Sequence, residues 1–181
     1  MPTDREQFIA GKVLSGRVYP EFFPLAPSAS VVNIGCGNGP QAAVYAGSYS
    51  RMVGIDINAS RLRDSMPILR SRYGVRNYET ACANVESIPL PSSSFDAALA
   101  IDIIEHVEHP RIVMREALRL LVPGGLLLIT FPAMHDRYVD AASFAKRLFS
   151  RRTSASPSGW NPDAHIHDYP LHVWISLAAE S

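Results

Sequence analysis

The chain has 181 residues, 47% of them hydrophobic, with 17 basic and 17 acidic side chains and no formal net charge. That length is one domain at roughly 100–200 residues per domain, and its apolar content and charge balance exclude a disordered chain. Zero net charge argues against a nucleic-acid backbone as the main partner, although a local basic patch could survive that average.

Cys36 and Cys82 are the only cysteines, which excludes a disulfide framework and a four-cysteine zinc site. The longest uncharged apolar run, Leu120 to Met134, is broken by Pro123-Gly124-Gly125 and falls short of the ~18 residues of a membrane span. The opening MPTDREQFIAG has no hydrophobic signal region. A soluble, cytoplasmic domain is expected.

In chain order, residues 1–29 read as a helical lead-in. The first strong strand is Ser30 to Ile34, followed by glycines and a helix over Pro40 to Tyr45, with proline at the first helical position where its missing N–H costs nothing. Arg51 to Ile57 is a second strand. Ser60 is expected to cap a helix toward Tyr73, with Gly74 as its stop and Pro67 imposing a kink or early end. Tyr78 to Ala83 is a weaker strand, and the Pro- and Ser-rich stretch Asn84 to Ser94 a loop.

Phe95 to Ile101 is a fourth strand. His109-Pro110 opens a helix with Val113, Ala117, Leu118 and Leu121 at helical spacing. Pro123-Gly124-Gly125 ends it, and Leu126 to Phe131 reads as a fifth strand buried on both faces. Tyr138 to Phe149 suits an amphipathic helix, and Leu171 to Ala179 a final one. The alternation predicts an α/β fold, a doubly wound, mainly parallel sheet of about five strands.

Gly35, Gly37 and Gly39 stand at alternate positions where a strand turns into a helix. Glycine permits a tight turn and lets a ligand approach bare backbone. Alone, such a loop is a weak signal. Asp56, at the end of the second strand and 17 residues beyond Gly39, strengthens it. In a doubly wound sheet a carboxylate there accepts from ribose hydroxyls. Asp56 could equally be a turn former, a part open to Asn58 as well. The spacing departs from the dinucleotide fingerprint, and a loop without lysine excludes a triphosphate P-loop.

The motifs VVNIGCGNGP, VGIDIN, ANVESIPLPSSSFD, AIDIIEHVEHP and EALRLLVPGGLLLITFP follow in order between Ser30 and Pro132. In this series the sequence resembles the class I S-adenosylmethionine-dependent methyltransferases, especially the ubiquinone- and menaquinone-biosynthesis-like branch. The resemblance implies S-adenosylmethionine as cofactor and residues 30–132 as the cofactor-binding core. It implies that Asn33, Gly35, Cys36, Gly37 and Gly39 receive the methionine part, Asp56 the ribose, and Asn84 and Val85 the adenine edge, with Ile57 also among the cofactor-binding residues. Ile101, Ile104 and Glu105 would line the pocket near the sulfonium. Family members carry an acid at the position of Asn33 and commonly an aspartate at Asn84. An amide keeps an acceptor oxygen but loses the charge, and charge-assisted hydrogen bonds are roughly twice as strong.

Methyl transfer needs in-line placement more than acid–base machinery, and a base only where the acceptor loses a proton. Candidates are Glu105 and His106, then His135 and Asp136, since ligands gather beyond the carboxyl ends of the strands. The competing reading of Glu105 and His106 is a pair that shapes the pocket wall. No [Asn/Asp]-Pro-Pro-[Tyr/Phe] tetrapeptide follows strand four, which points away from nucleic-acid amino methyltransferases.

His165, His167, Asp168 and His172 read either as metal ligands or as part of an acceptor-side lid, the favoured reading, so no metal is assigned. Arg111, Arg115 and Arg119 read as a solvated helix face. Phe144, Leu148 and Phe149 among Lys146, Arg147, Arg151 and Arg152 read as a lid helix or as a weak membrane-surface contact. Residues 133–181 are thus the acceptor-side segment. Family domains add an antiparallel strand pair after the last helix. Its absence here implies a shortened chain or an exposed sheet edge open to self-association.

The expected function is methyl transfer to a small-molecule or lipid-like acceptor, with no nucleic-acid partner. The rivals are a non-catalytic S-adenosylmethionine-binding or regulatory module, and a nicotinamide-dependent oxidoreductase, which the glycine spacing disfavours.

Overall fold

The computed structural model describes residues 2–14, 20–131, 166, 167, 169 and 171–180. The apolar runs form the strands β1 (Ser30–Ile34), β2 (Arg51–Asp56), β3 (Tyr78–Cys82), β4 (Phe95–Ile101) and β5 (Leu121–Thr130). The helices are α1 (Asp4–Leu14), α2 (Pro40–Val44), α3 (Ala59–Tyr73), α4 (Pro110–Leu120) and α5 (Leu171–Ala179). All strand pairs among the described residues are parallel, in the order β3-β2-β1-β4-β5. The doubly wound sheet is as expected. The chain reverses direction across the sheet between β1 and β4, and ligands of such folds bind beyond the carboxyl ends at that switch point.

Residues of β1 alternate between two apolar layers, as a strand covered on both faces must. Val31 joins Met52 and Leu99 in a layer with Ile9 of α1, Ala42 of α2 and Leu69 of α3. Val32 and Ile34 face the other, with Val113 and Leu120 of α4 and Trp174 of α5. The lead-in is part of the core: Ile9 is fully buried, and Glu6 pairs with Arg72 of α3 at 2.7 Å.

Three local expectations are corrected. Asn58, not Ser60, caps α3: its Oδ1 accepts from the Arg61 N–H at 3.0 Å, while Ser60 donates its hydroxyl to the same oxygen. Of the kink or early end expected at Pro67, the early end does not occur: α3 continues to Tyr73 and stops, as expected, at Gly74 with φ 63°. Pro67 lies on the exposed face, where water can solvate the carbonyl it leaves unpaired, while Leu62, Ser65 and Leu69 bury the opposite face.

The third correction concerns β5. It begins directly at Leu121 and contains Pro123-Gly124-Gly125, which bulge out between the pairs Phe95–Leu121 and Ala97–Leu126. Among the described residues β5 has one neighbour, β4, and it is only half-buried, with Leu126 56% exposed. Its all-apolar sequence reads as a strand buried on both faces, but among the described residues it stands at the end of the strand order. No helix among the described residues is long and apolar enough to cross a membrane.

Candidate cofactor and active site

The loop from Gly35 to Gly39 leaves β1 at the switch point. All three glycines adopt positive φ, at 68°, 54° and 72°. Their surroundings differ. A Cβ on Gly35 would lie 2.4 Å from Ile103 of the loop after β4, and one on Gly39 2.9 Å from Leu69 and 3.0 Å from the Tyr78 hydroxyl. A Cβ on Gly37 would meet nothing within 4 Å. Gly35 and Gly39 therefore serve packing as well as the turn, and Gly37 presents bare backbone to open space.

Cys36 is buried, its N–H donates to Ile55 O at 2.9 Å, and its sulfur lies against Gly54. Burial pushes the thiol up to about 12. What Cys36 can offer a ligand is its backbone.

Asp56 ties the elements together. Its Oδ2 accepts from the Gly37 N–H and its Oδ1 from the Asn58 N–H, each at 2.8 Å, and its carbonyl accepts from Ala83 N at 3.1 Å. Both carboxylate oxygens are oriented by backbone donors, and each keeps a further lone pair for a ligand hydroxyl. Ile57 beside it is 49% exposed, an apolar surface at the carboxyl end of β2.

Asn33, the last but one residue of β1, is fully buried. Its Nδ2 donates to Gln41 Oε1 at 3.2 Å, and its Oδ1 is buried with no partner among the described residues. Gln41, in the first turn of α2, is also buried.

Beyond β3, Asn84 is exposed, its Oδ1 accepts from Glu86 N at 2.9 Å, and Val85 is buried. Three side chains hold this loop. Glu86 accepts from His109 N at 2.8 Å, at the start of α4. Glu116 accepts from Ile88 N at 2.9 Å. Arg119 donates to Ile88 O at 2.9 Å, to Leu90 O at 2.8 Å and to Ser92 Oγ at 3.2 Å, and pairs with both Glu116 oxygens. The solvated-face reading holds for Arg111 and Arg115, which are exposed, with Arg111 paired to the exposed Glu180, and is corrected for Arg119, which clamps the loop. Sequence spacing carries no sign of loop carbonyls folding back onto a helix.

Beyond β4, Asp102 has φ 50°, and its carboxylate accepts from the Thr130 hydroxyl at 3.0 Å. Aspartate is among the few residues besides glycine that adopt this conformation, and the Thr130 hydroxyl holds Asp102 there. Ile101 and Ile104 are buried. Glu105 is 1% exposed, with Oε1 3.8 Å from His106 Nε2. The Glu105 carbonyl accepts from Ile166 N and His167 N at 2.8 and 3.2 Å, which docks residues 166 and 167, before α5, against the loop after β4. There Tyr169 and Trp174 lie with ring centroids 5.1 Å apart, and Trp174 with Phe131 5.0 Å.

His135 and Asp136, the helix from Tyr138 to Phe149, His165 and Asp168 lie outside the described residues. His167 Nε2 lies 3.3 Å from Glu108 O, and His172 stands in the first turn of α5. Among the described residues no three His, Cys, Asp or Glu side chains gather as a metal site.

The methyltransferase domain family matches residues 32–129, from β1 to β5. The chain belongs to that family. This methyltransferase domain is 27% identical over 151 residues to the uncharacterized methyltransferase Rv0089 of Mycobacterium tuberculosis, covering 79% of this chain and 75% of that protein. It is 35% identical over 101 residues to 24-methylenesterol C-methyltransferase 2 of Oryza sativa, covering 55% of this chain but 28% of the relative. The solved structure of BH2331 of Bacillus halodurans, named as a methyltransferase, superposes with a TM-score of 0.71 at 20% identity, over 95% of this chain and 67% of that one. The cofactor that goes with the family is S-adenosylmethionine. The open backbone at Gly37, the oriented carboxylate of Asp56 and the orphaned Asn33 oxygen fit a ligand with a ribose and a cationic amine.

Proposed function

We propose that this methyltransferase domain moves a methyl group from S-adenosylmethionine to a small-molecule or lipid-like acceptor by in-line displacement. The observation that carries the reading is the Asp56 carboxylate, oriented by Gly37 and Asn58 N–H groups at the switch point. Asp56 would accept both ribose hydroxyls. Asn33 and the backbone of Gly35, Cys36, Gly37 and Gly39 would hold the amino-acid end. Ile57, Val85 and Asn84 would face the adenine, the last through the remaining lone pair of its oxygen.

The cofactor supplies an electrophilic methyl on a sulfonium: the carbon–sulfur bond breaks as the bond to the acceptor forms, leaving a neutral thioether. The chain's contribution is placement, which can supply ~7–11 kcal/mol in a near-attack geometry. Ile101, Ile104 and Glu105 would form the wall beside the reacting carbon. Glu105, with His106 at its carboxylate, is the base on offer should the acceptor lose a proton, and His135 is the alternative. The sterol named for the rice relative supports a lipid-like acceptor.

Calorimetric titration with S-adenosylmethionine and S-adenosylhomocysteine, followed by an acceptor panel, tests the proposal. Binding of both and turnover on a small or lipid-like acceptor is expected. No binding at millimolar ligand would sink the cofactor reading, and methylation of nucleic acid alone would sink the acceptor reading. The neutral Asn33 favours one second reading, a cofactor-binding module without turnover, for which tight binding with no methylated product would speak.

A further inference from the structure

Asn33 and Gln41 form a buried amide pair at the foot of the glycine loop, one on β1 and one in the first turn of α2. An amide differs from a carboxylate in having two unlike ends, and half a turn of its last torsion exchanges an acceptor for two donors. A site that uses an amide as acceptor therefore needs a second group to fix which end it shows. Gln41 Oε1 takes the Asn33 NH2 at 3.2 Å, and the end left over is Oδ1, buried and without a partner among the described residues. An orphaned buried acceptor is costly, and a donor brought by a ligand would satisfy it.

We propose that Gln41 is a positioning residue for the amino-acid end of the cofactor site: it holds Asn33 so that the carbonyl oxygen, not the amide nitrogen, meets the cofactor's ammonium. The proposal rests on the S-adenosylmethionine reading above. Gln41 itself need not touch the ligand. Its position, directly after Gly39-Pro40, lets the same turn that shapes the loop deliver the group that orients Asn33.

The test compares two ligands by calorimetry on the full chain: S-adenosylhomocysteine, which carries the ammonium, and 5′-methylthioadenosine, which lacks the amino-acid end. Gln41→Met should weaken S-adenosylhomocysteine about 5–10-fold, the loss of one oriented hydrogen bond, and leave methylthioadenosine within about twofold. Gln41→Glu should restore the affinity, since a carboxylate also accepts from the Asn33 NH2. On an Asn33→Ala background, Gln41→Met should cost nothing further. Gln41→Ser, well tolerated at a helix N-terminus, replaces Gln41→Met should that variant not fold. Equal weakening of both ligands, or no weakening of either, would overturn the proposal. An unsubstituted chain that binds neither ligand overturns the cofactor reading itself, and the proposal with it.

Discussion

Gly37 donates its backbone N–H to Asp56 Oδ2 at 2.8 Å, so one carboxylate at the end of β2 fixes the loop that leaves β1. The other oxygen fixes Asn58, the cap of α3. Asp56→Ala removes the loop tether, the α3 tether and the ribose acceptor together. Hydrogen bonds to charged groups contribute about 1.5–3 kcal/mol each, so loss of both ribose bonds is expected to weaken cofactor affinity by about 100–10,000-fold, with a lower melting temperature. Calorimetry and thermal melting read the two effects separately. An Asp56→Ala chain with unchanged affinity would show that the carboxylate serves the fold alone.

The three glycines of the loop are expected to respond differently to alanine. Each pays about 1–2 kcal/mol for a left-handed backbone. At Gly35 the new methyl also strikes Ile103 at 2.4 Å, and such overpacking costs typically 1–3 kcal/mol more. Gly35→Ala should therefore melt well below Gly37→Ala, and Ile103→Ala should rescue part of the difference in the double variant. Gly37→Ala, with open space around it, should show its larger effect on cofactor affinity. Equal melting temperatures for the two variants would contradict the packing role of Gly35.

Cys36 and Cys82 should separate cleanly in a thiol titration. Cys36 is buried and its thiol pushed up to about 12 by desolvation, whereas Cys82 is exposed. The thiolate is the reactive species, so at neutral pH the native chain should react at one thiol and the denatured chain at two. Two fast-reacting thiols in the native chain would refute the burial of Cys36. Cys36→Ala should bind the cofactor nearly as the unsubstituted chain does, because the Cys36 side chain is buried against Gly54.

The fold was legible because its signals are local. Strands β1 and β4 are short apolar runs bounded by turn residues, and His109-Pro110 and Gly74 mark helix ends that the structure keeps. Where reading failed, a longer-range effect prevailed. Among the described residues β5 stands last in the strand order, which residue hydropathy does not contain, and α3 runs through Pro67 because that ring sits on the solvent side. In the site, the glycine loop and Asp56 stand at a readable spacing, and the structure joins them by a hydrogen bond. Gln41 and Asp102 carry no sequence signal, and Arg119 reads as solvent-facing, because their parts depend on partners in space: Asn33, Thr130 and the carbonyls of Ile88 and Leu90.

The Glu116–Arg119 clamp gives the chain an acid-sensitive hold on the loop that carries Asn84 and Val85. The Arg119 guanidinium, joined by the Ile88 N–H, keeps the Glu116 carboxyl below the ordinary value of 4.5. A carboxyl whose value is depressed by folding adds stability that is fully present above its unfolded value and is lost as pH falls through its folded value. Glu116→Gln should therefore be less stable than the unsubstituted chain at pH 7, and the gap should close as pH falls below about 4.5. Arg119→Met, which removes the guanidinium donor from the Leu90 carbonyl and leaves Ile88 O with the Leu90 N–H, should cost about 1–3 kcal/mol and weaken adenine-side binding. Denaturant melts of the three chains at pH 7 and pH 4 provide the comparison. A Glu116→Gln deficit that stays constant across that range would mean that the charge of Glu116 takes no part in holding the loop.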